Sequence, residues 1–200
     1  MDLAVENSSL SVGNLRQRAL RAAHHILETQ GQAGLSLRAI ATDLGTGVGS
    51  LYYYFASKDA LLAELAVDGF RELGDWMGLA SRSPRGRSVF NACGHAYLGF
   101  TRRRPALYAI MYDERLLAAH AVVREAEARA FEVFKSSLAD TGVVTAKVED
   151  IATAFWALGR GMTSISASLG AASPGVAKTV VLRVMRGLEA LAGERDRILA

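Results

Sequence analysis

Gly45, Gly47 and Gly49 alternate just before three consecutive phenols, Tyr52, Tyr53 and Tyr54, in the stretch LRAIATDLGTGVGSLYYYFASKDALL (residues 37–62). A phenol can donate a hydrogen bond to a phosphate oxygen or pack on a sugar or a thymine methyl. The small residues Thr46, Gly47, Val48, Gly49 and Ser50 let a backbone approach a partner closely. The basic residues between Asn14 and Lys58 are Arg16, Arg18, Arg21, Arg38 and Lys58, against Glu28 and Asp43. That local excess equals the +3 of the whole chain. Nucleic-acid binding is the chemistry these residues suit, with the charge modest and locally placed.

Catalytic arrangements are much weaker. Cys93 and His95 are two apart and point to different sides of a helix, so Cys93 is read as a small buried hydrophobe. His24 and Glu28 can touch at four residues' spacing, but a lone pair is a poor metal site. No phosphate-binding glycine loop follows a strand. His120, Asp113 and Glu114 form no recognisable triad. The expectation is therefore no enzyme, no metal and no cofactor.

The elements that position the candidate residues are helical. The chain has 200 residues, half of them hydrophobic, three prolines and one cysteine. Ala and Leu abound, no period-2 run of β-branched residues occurs, and the fold class is all-α. A single cysteine excludes an internal disulfide and fits a reducing cytoplasm. No signal peptide or membrane span is visible, because the longest charge-free stretch (161–177) is broken by serines and Pro174.

Residues 1–13 read as a flexible tail. Asn14 with Gln17 suggests a capping box opening the first helix, and Gly31 a C′ position. Ser36 caps a second helix ended by Gly45. A third short helix covers about 48–55, and a fourth starts after Ser57. The polar segment 81–87 (SRSPRGR) reads as a hinge. Further helices are expected over 88–103, 105–112, 114–138, 147–169 and from the turn at 170–174 to about 191. The domains expected are 14–60, a helix-turn-helix DNA-binding domain, and 61–200, a helical ligand-binding and dimerisation domain.

Short helix, glycine turn and short helix is helix-turn-helix geometry, with the second helix the one that enters a major groove. The segment Gly34–Leu62 resembles the DNA-binding region of the TetR family of bacterial transcription regulators. Ala41, Gly45, Leu51-Tyr52, Tyr54-Phe55 and Lys58 fall on the family pattern without gaps. Thr46 stands where a small apolar residue is usual and can take over N-capping. Gly47 stands where a polar side chain is common and offers none for base reading. The resemblance makes Arg38, Val48, Ser50 and Tyr53 candidates for base-edge or thymine-methyl contact. It makes Thr46, Tyr52, Tyr54 and Lys58 candidates for phosphate contact; the position of Tyr52 after Leu51 leaves both partial burial against the first helix and exposure open. Lys58 would share its phosphate with the fourth helix's N-terminus.

In the second half, Ile151, Phe155, Leu158, Met162, Ile165 and Leu169 make a heptad seam. A second face, small apart from Trp156, carries Ala152, Trp156, Gly159, Thr163 and Ser166, and the last helix offers Val180, Val184 and Leu188. Two apolar faces point to a homodimer in which a second copy covers one of them, a purely intramolecular core being the alternative. RRRPALYAIMYD (102–113) and WALGRG (156–161) resemble a TetR subgroup marked by Trp-His-Gly, with Arg160 where the His would be. Phe90, Cys93, Tyr97, Met111, Phe131, Phe134, Phe155, Trp156 and Arg160 are the candidate pocket, core packing being the alternative for most of them. The resemblance implies a homodimeric regulator of double-stranded DNA, most often a repressor, released by a small, mostly apolar effector. An activator, or a ligand-sensing module with degenerate DNA binding, is the alternative.

Overall fold

The computed structural model describes residues 3–84, 88–139 and 145–170, with Thr179 and Arg183; for 3–14, 145–146 and 162–170 it describes the backbone alone. Among these residues all regular structure is helical: α1 (Leu3–Gly34), α2 (Leu37–Leu44), α3 (Val48–Tyr52), α4 (Lys58–Arg82), α5 (Val89–Arg103), α6 (Pro105–Met111), α7 (Glu114–Ala119), α8 (Ala121–Ala139) and α9 (Thr145–Gly170).

Most boundaries follow local chemistry. Ser36 Oγ accepts from Ala39 N at 3.0 Å and opens α2. Ser57 Oγ does the same for α4 through Ala60 N at 3.0 Å, and Pro105 occupies the first turn of α6. Three boundaries differ from expectation. α1 begins at Leu3, so Asn14 lies within it and does not cap it. Gly31 still takes the left-handed backbone (φ 70°, ψ −175°), as a kink near the end of that helix. The single helix expected over 114–138 is broken at His120 (φ −119°, ψ 105°). Arg124 Nη1 donates to the carbonyls of Leu117 and Ala118, which satisfies the end of α7 and offsets the break.

Two compact units divide the chain: Met1–Arg71 with Arg104–Ala128, and Glu72–Arg103 with Arg129–Ala200. This division differs from the domains read in the sequence, because α4 and α8 each contribute to both units. Of the expected hinge, 81–82 belong to α4, and 85–87 lie outside the described residues.

The first unit buries Ala23 and Leu27 of α1, Ile40 of α2, Leu51 and Phe55 around α3, and Leu61, Leu65 and Phe70 of α4. Polar pairs tie α1 to α4 at its surface: Arg16 to Glu64 at 2.6 Å and His24 to Asp68 at 3.4 Å. Glu28 of α1 pairs with Arg104, the residue that precedes α6. Met111 is fully buried here, with its sulfur against Gly69.

In the second unit, rings from α5, α8 and α9 pack on one another. Tyr97 meets Phe155 (6.2 Å between centroids) and Trp156 (5.9 Å) edge to face. Phe90 and Phe134 also pack on Phe155, and Phe131 on Trp156. Edge-to-face contact satisfies the ring quadrupoles while excluding water.

Two predictions follow from this packing. A Cβ at Gly159 would lie 3.1 Å from the Tyr97 ring, so Gly159→Ala should destabilise the fold by about 1–2 kcal/mol in urea titration. The second concerns Asp68, whose carboxyl lies below the usual carboxylate range. The hydrogen bond to His24 lowers it most and Arg71 lowers it further, against the opposing effect of burial. A depressed folded pKa contributes stability above the unfolded value of about 3.9, and that contribution is lost as pH falls through the folded value. Wild type should therefore lose more stability than Asp68→Asn between pH 6 and pH 3, measured by denaturant midpoints.

Candidate nucleic-acid interface

The α2–α3 turn is built from backbone bonds around one glycine. Gly45 is left-handed (φ 64°, ψ 34°), and its N–H donates to Thr42 O at 3.2 Å. The N–H of Thr46 reaches back to Ala41 O at 2.9 Å. These two bonds make a Schellman motif, which needs the positive φ that glycine supplies at least cost. Thr46 is thereby spent on closing α2. Gly47, not Thr46, holds the N-cap position of α3, and no side chain caps that helix.

α3 is short because Tyr53 and Tyr54 leave the helix in a turn, with Tyr54 N and Phe55 N both donating to Leu51 O. Five residues cannot sustain a helix in water. Leu51 and Phe55, both fully buried, hold it to the unit. Its other face is open. Gly47, Gly49 and Ser50 are exposed, and Val48 and Thr46 are half-buried. A Cβ at Gly47 or Gly49 would meet nothing within 4 Å, so neither glycine is required by packing inside the chain.

The expected contact residues gather on this face and beside it. Arg38 is exposed on the first turn of α2. Tyr53 is 80% exposed and Tyr52 56%, so of the two alternatives for Tyr52 the structure shows the exposed one. Tyr54 is half-buried and meets Tyr53 edge to face at 5.1 Å. That contact braces the exposed phenol. Lys58, also exposed, donates from Nζ to Gln32 O at 3.3 Å, which holds the ammonium at the start of α4. The anchor is a backbone carbonyl, so no side-chain pattern announces it.

The expected pocket residues sort differently. Phe90, Cys93, Tyr97, Phe131, Phe134, Phe155 and Trp156 come together in the second unit, whereas Met111 lies in the first. Arg160 is exposed. The Cys93 thiol donates to Met77 O at 3.6 Å, and burial pushes its pKa up to about 11, which disfavours the nucleophilic thiolate.

Of the expected dimer positions, Ala152 is fully buried and Gly159 packs on Tyr97, so their small size serves packing within the chain. The side chains of Thr163 and Ser166, and Val180, Val184 and Leu188 altogether, lie outside the described residues. Among the described residues, no cluster of His, Cys, Asp or Glu is arranged to hold a metal, and no helix is long and apolar enough to cross a membrane.

Two family models match the chain: bacterial regulatory proteins of the tetR family over residues 19–65, and the tetracyclin repressor-like C-terminal domain over 90–188. The chain belongs to the TetR family. An HTH-type transcriptional regulator of Mycobacterium tuberculosis is 36% identical over 94 residues, covering 46% of this TetR-family chain and 40% of that protein. The HTH-type transcriptional repressor DrrR1 of Streptomyces coeruleorubidus is 32% identical over 114 residues, covering 52% and 38%. The chain thus spans about two fifths of the length of these curated relatives. A solved protein of unknown function from Rhodococcus sp. RHA1 shares the fold, with a TM-score of 0.69 at 24% identity over 86% of this chain and 94% of that one.

The open surroundings of Gly49 give a stability prediction that separates folding from binding. Gly49→Ala should stabilise the fold by about 0.5–1 kcal/mol, because alanine favours the helix and nothing obstructs its methyl group. A thermal or urea melt reads this directly. A lower midpoint would show that Gly49 is needed inside the fold.

Proposed function

We propose that this TetR-family chain is a DNA-binding transcriptional regulator that, as a homodimer, represses from a near-palindromic operator. A small, mostly apolar effector releases it. The observation that carries this reading is α3: a helix too short to stand alone, pinned by Leu51 and Phe55, with its glycine-lightened face open and Tyr53 projecting from its end. A rod with small residues along one side suits the floor of a major groove.

In this reading Val48, Ser50, Tyr53 and Arg38 face base edges and thymine methyls. Thr46, Tyr52, Tyr54 and Lys58 face phosphates, and Gly47 gives the backbone room to approach. Because α3 offers only a hydroxyl, a phenol and aliphatic groups, Arg38 is the one residue of the base-facing set able to grip a guanine with two donors. Phosphate contact supplies most of the affinity and the salt dependence.

Pairing of two chains places two such helices about 34–36 Å apart, one turn of DNA. With Ala152 and Gly159 turned inward, the exposed residues of α9 among those whose side chains are described are Glu149, Asp150, Thr153, Ala154, Ala157, Arg160 and Gly161, and the stretch from Thr153 to Gly161 is the part offered to the second copy. Repression, in preference to activation, is supported by the Streptomyces relative, a transcriptional repressor. The resemblance of 102–113 and 156–161 to the Trp-His-Gly subgroup, with Arg160 in place of the His, supports placement there. The regulator acts on the chromosome, hence in the cytoplasm. α4 contributes to both units and is the lever through which effector binding changes operator affinity, by about 1–3 kcal/mol.

Gel shifts with DNA flanking the protein's own gene test the reading. A saturable, competitor-resistant complex is expected, and its absence across genomic fragments would overturn operator binding. Lys58→Ala should weaken binding to all sequences alike and flatten the slope of log affinity against log salt by about one. A loss of discrimination confined to one base pair would contradict the phosphate role of Lys58.

A further inference from the structure

We propose that a groove between the second half of α4 and α5 binds a medium-chain carboxylate; its standing as the effector site rests on the regulator reading above. The groove lies wholly within the second unit, is open to solvent along one side and has a volume of about 420 Å³. That volume falls at the small end of the range for organic ligands, about 300–1,000 Å³.

Its shape follows from small residues at facing positions. Ala80 of α4 and Ala92 and Ala96 of α5 line it where longer side chains would close it. Trp76 and Leu79 extend the apolar wall, and Leu79 is 64% exposed, the most exposed of the large aliphatic side chains among the described residues. An apolar chain laid here would remove from water a surface that nothing else in the described chain covers.

Apart from Ser83, the polar lining residues are basic. Arg103 and His95 line the groove and no carboxylate does. The Arg103 guanidinium lies 5.4 Å from the centroid of the Trp76 ring. The side chain is exposed; the cation–π contact biases it toward the ring while leaving its N–H donors off any carboxylate, and among the described residues no acid is paired with it. A guanidinium held near an aromatic wall selects an anionic head attached to an apolar body, and a carboxylate matches its fork.

Length follows from the helices. The lining runs along α4 from Trp76 to Ser83, about 11 Å at 1.5 Å per residue, or about the reach of an extended eight- to ten-carbon chain. With Arg103 beside Trp76, the head lies at that end and the tail runs toward Ser83 and Pro84. The site is separate from the buried ring cluster around Phe155, whose aromatic side chains contact one another.

The chain has two tryptophans, Trp76 and Trp156, so its indole N–H resonances report the two places separately. Full-length, ¹⁵N-labelled protein is titrated with decanoate below its micelle concentration, with decanol and the decylammonium ion as controls. Assignment uses Trp76→Phe. Decanoate should move the Trp76 resonance saturably and leave that of Trp156 in place, with decanol and decylammonium at least tenfold weaker.

Arg103→Gln should weaken decanoate at least tenfold, and so should Ala96→Leu, which fills the groove without touching the guanidinium. Circular dichroism establishes that each variant is folded, and either one alone suffices for the test. An unmoved Trp76 resonance, a shift centred on Trp156, or wild-type affinity in a folded variant would each overturn the site.

Gel shifts with and without decanoate separate the two readings. Operator binding with no response at Trp76 removes the groove and leaves the regulator. Decanoate binding at Trp76 without any operator complex keeps the site and removes the regulator reading. Decanoate binding that lowers operator affinity supports both.

Discussion

Burial of Leu51 and Phe55 is the contact on which the exposed surface depends. α3 is a single helical turn containing one glycine and preceded by another, with no side-chain cap. Left to its own propensity it would melt, because nucleation is unfavourable and glycine favours the coil. Two apolar side chains removed entirely from water offset this by several kcal/mol on transfer alone. The apolar side fixes the rod, and the opposite side is then free to carry residues that contribute nothing to stability.

That division of labour explains the neighbouring polar contacts. The Schellman motif at Gly45 and Thr46 sets the direction in which the chain leaves α2. Ser57 caps α4, and Lys58 reaches Gln32 O. Each contact is modest, near the usual net value of about 1 kcal/mol for a hydrogen bond. Together they fix where α3 begins and where α4 departs. Around α4, Arg16 with Glu64 and His24 with Asp68 add partly exposed pairs whose contribution is smaller, that of Asp68 depending on pH.

The second unit follows a different logic. Its interior is aromatic, and Gly159 allows α9 to approach Tyr97 closely. A small residue on a helix can mean close approach inside the chain or close approach by a second copy. Sequence spacing does not distinguish the two. The same ambiguity runs through the ring cluster, where cavity lining and core packing use the same residue types. On the outside, Trp76 and Arg103 come from different helices, and their pairing arises only when α4 and α5 pack side by side.

What the sequence determined by itself is the local chemistry of helix ends and turns: Ser36 as a cap, the left-handed Gly45 and Pro105 at a first turn. These features depend on residues within a few positions of one another, so a one-dimensional pattern contains them. Tertiary structure decided the break at His120, the transfer of the α3 cap from Thr46 to Gly47, the inward turn of Ala152 and Gly159, and the groove beside Trp76. Each of those depends on which distant side chain arrives at the site, and arrival is set by burial of apolar surface summed over the whole unit, which no short stretch of residues specifies.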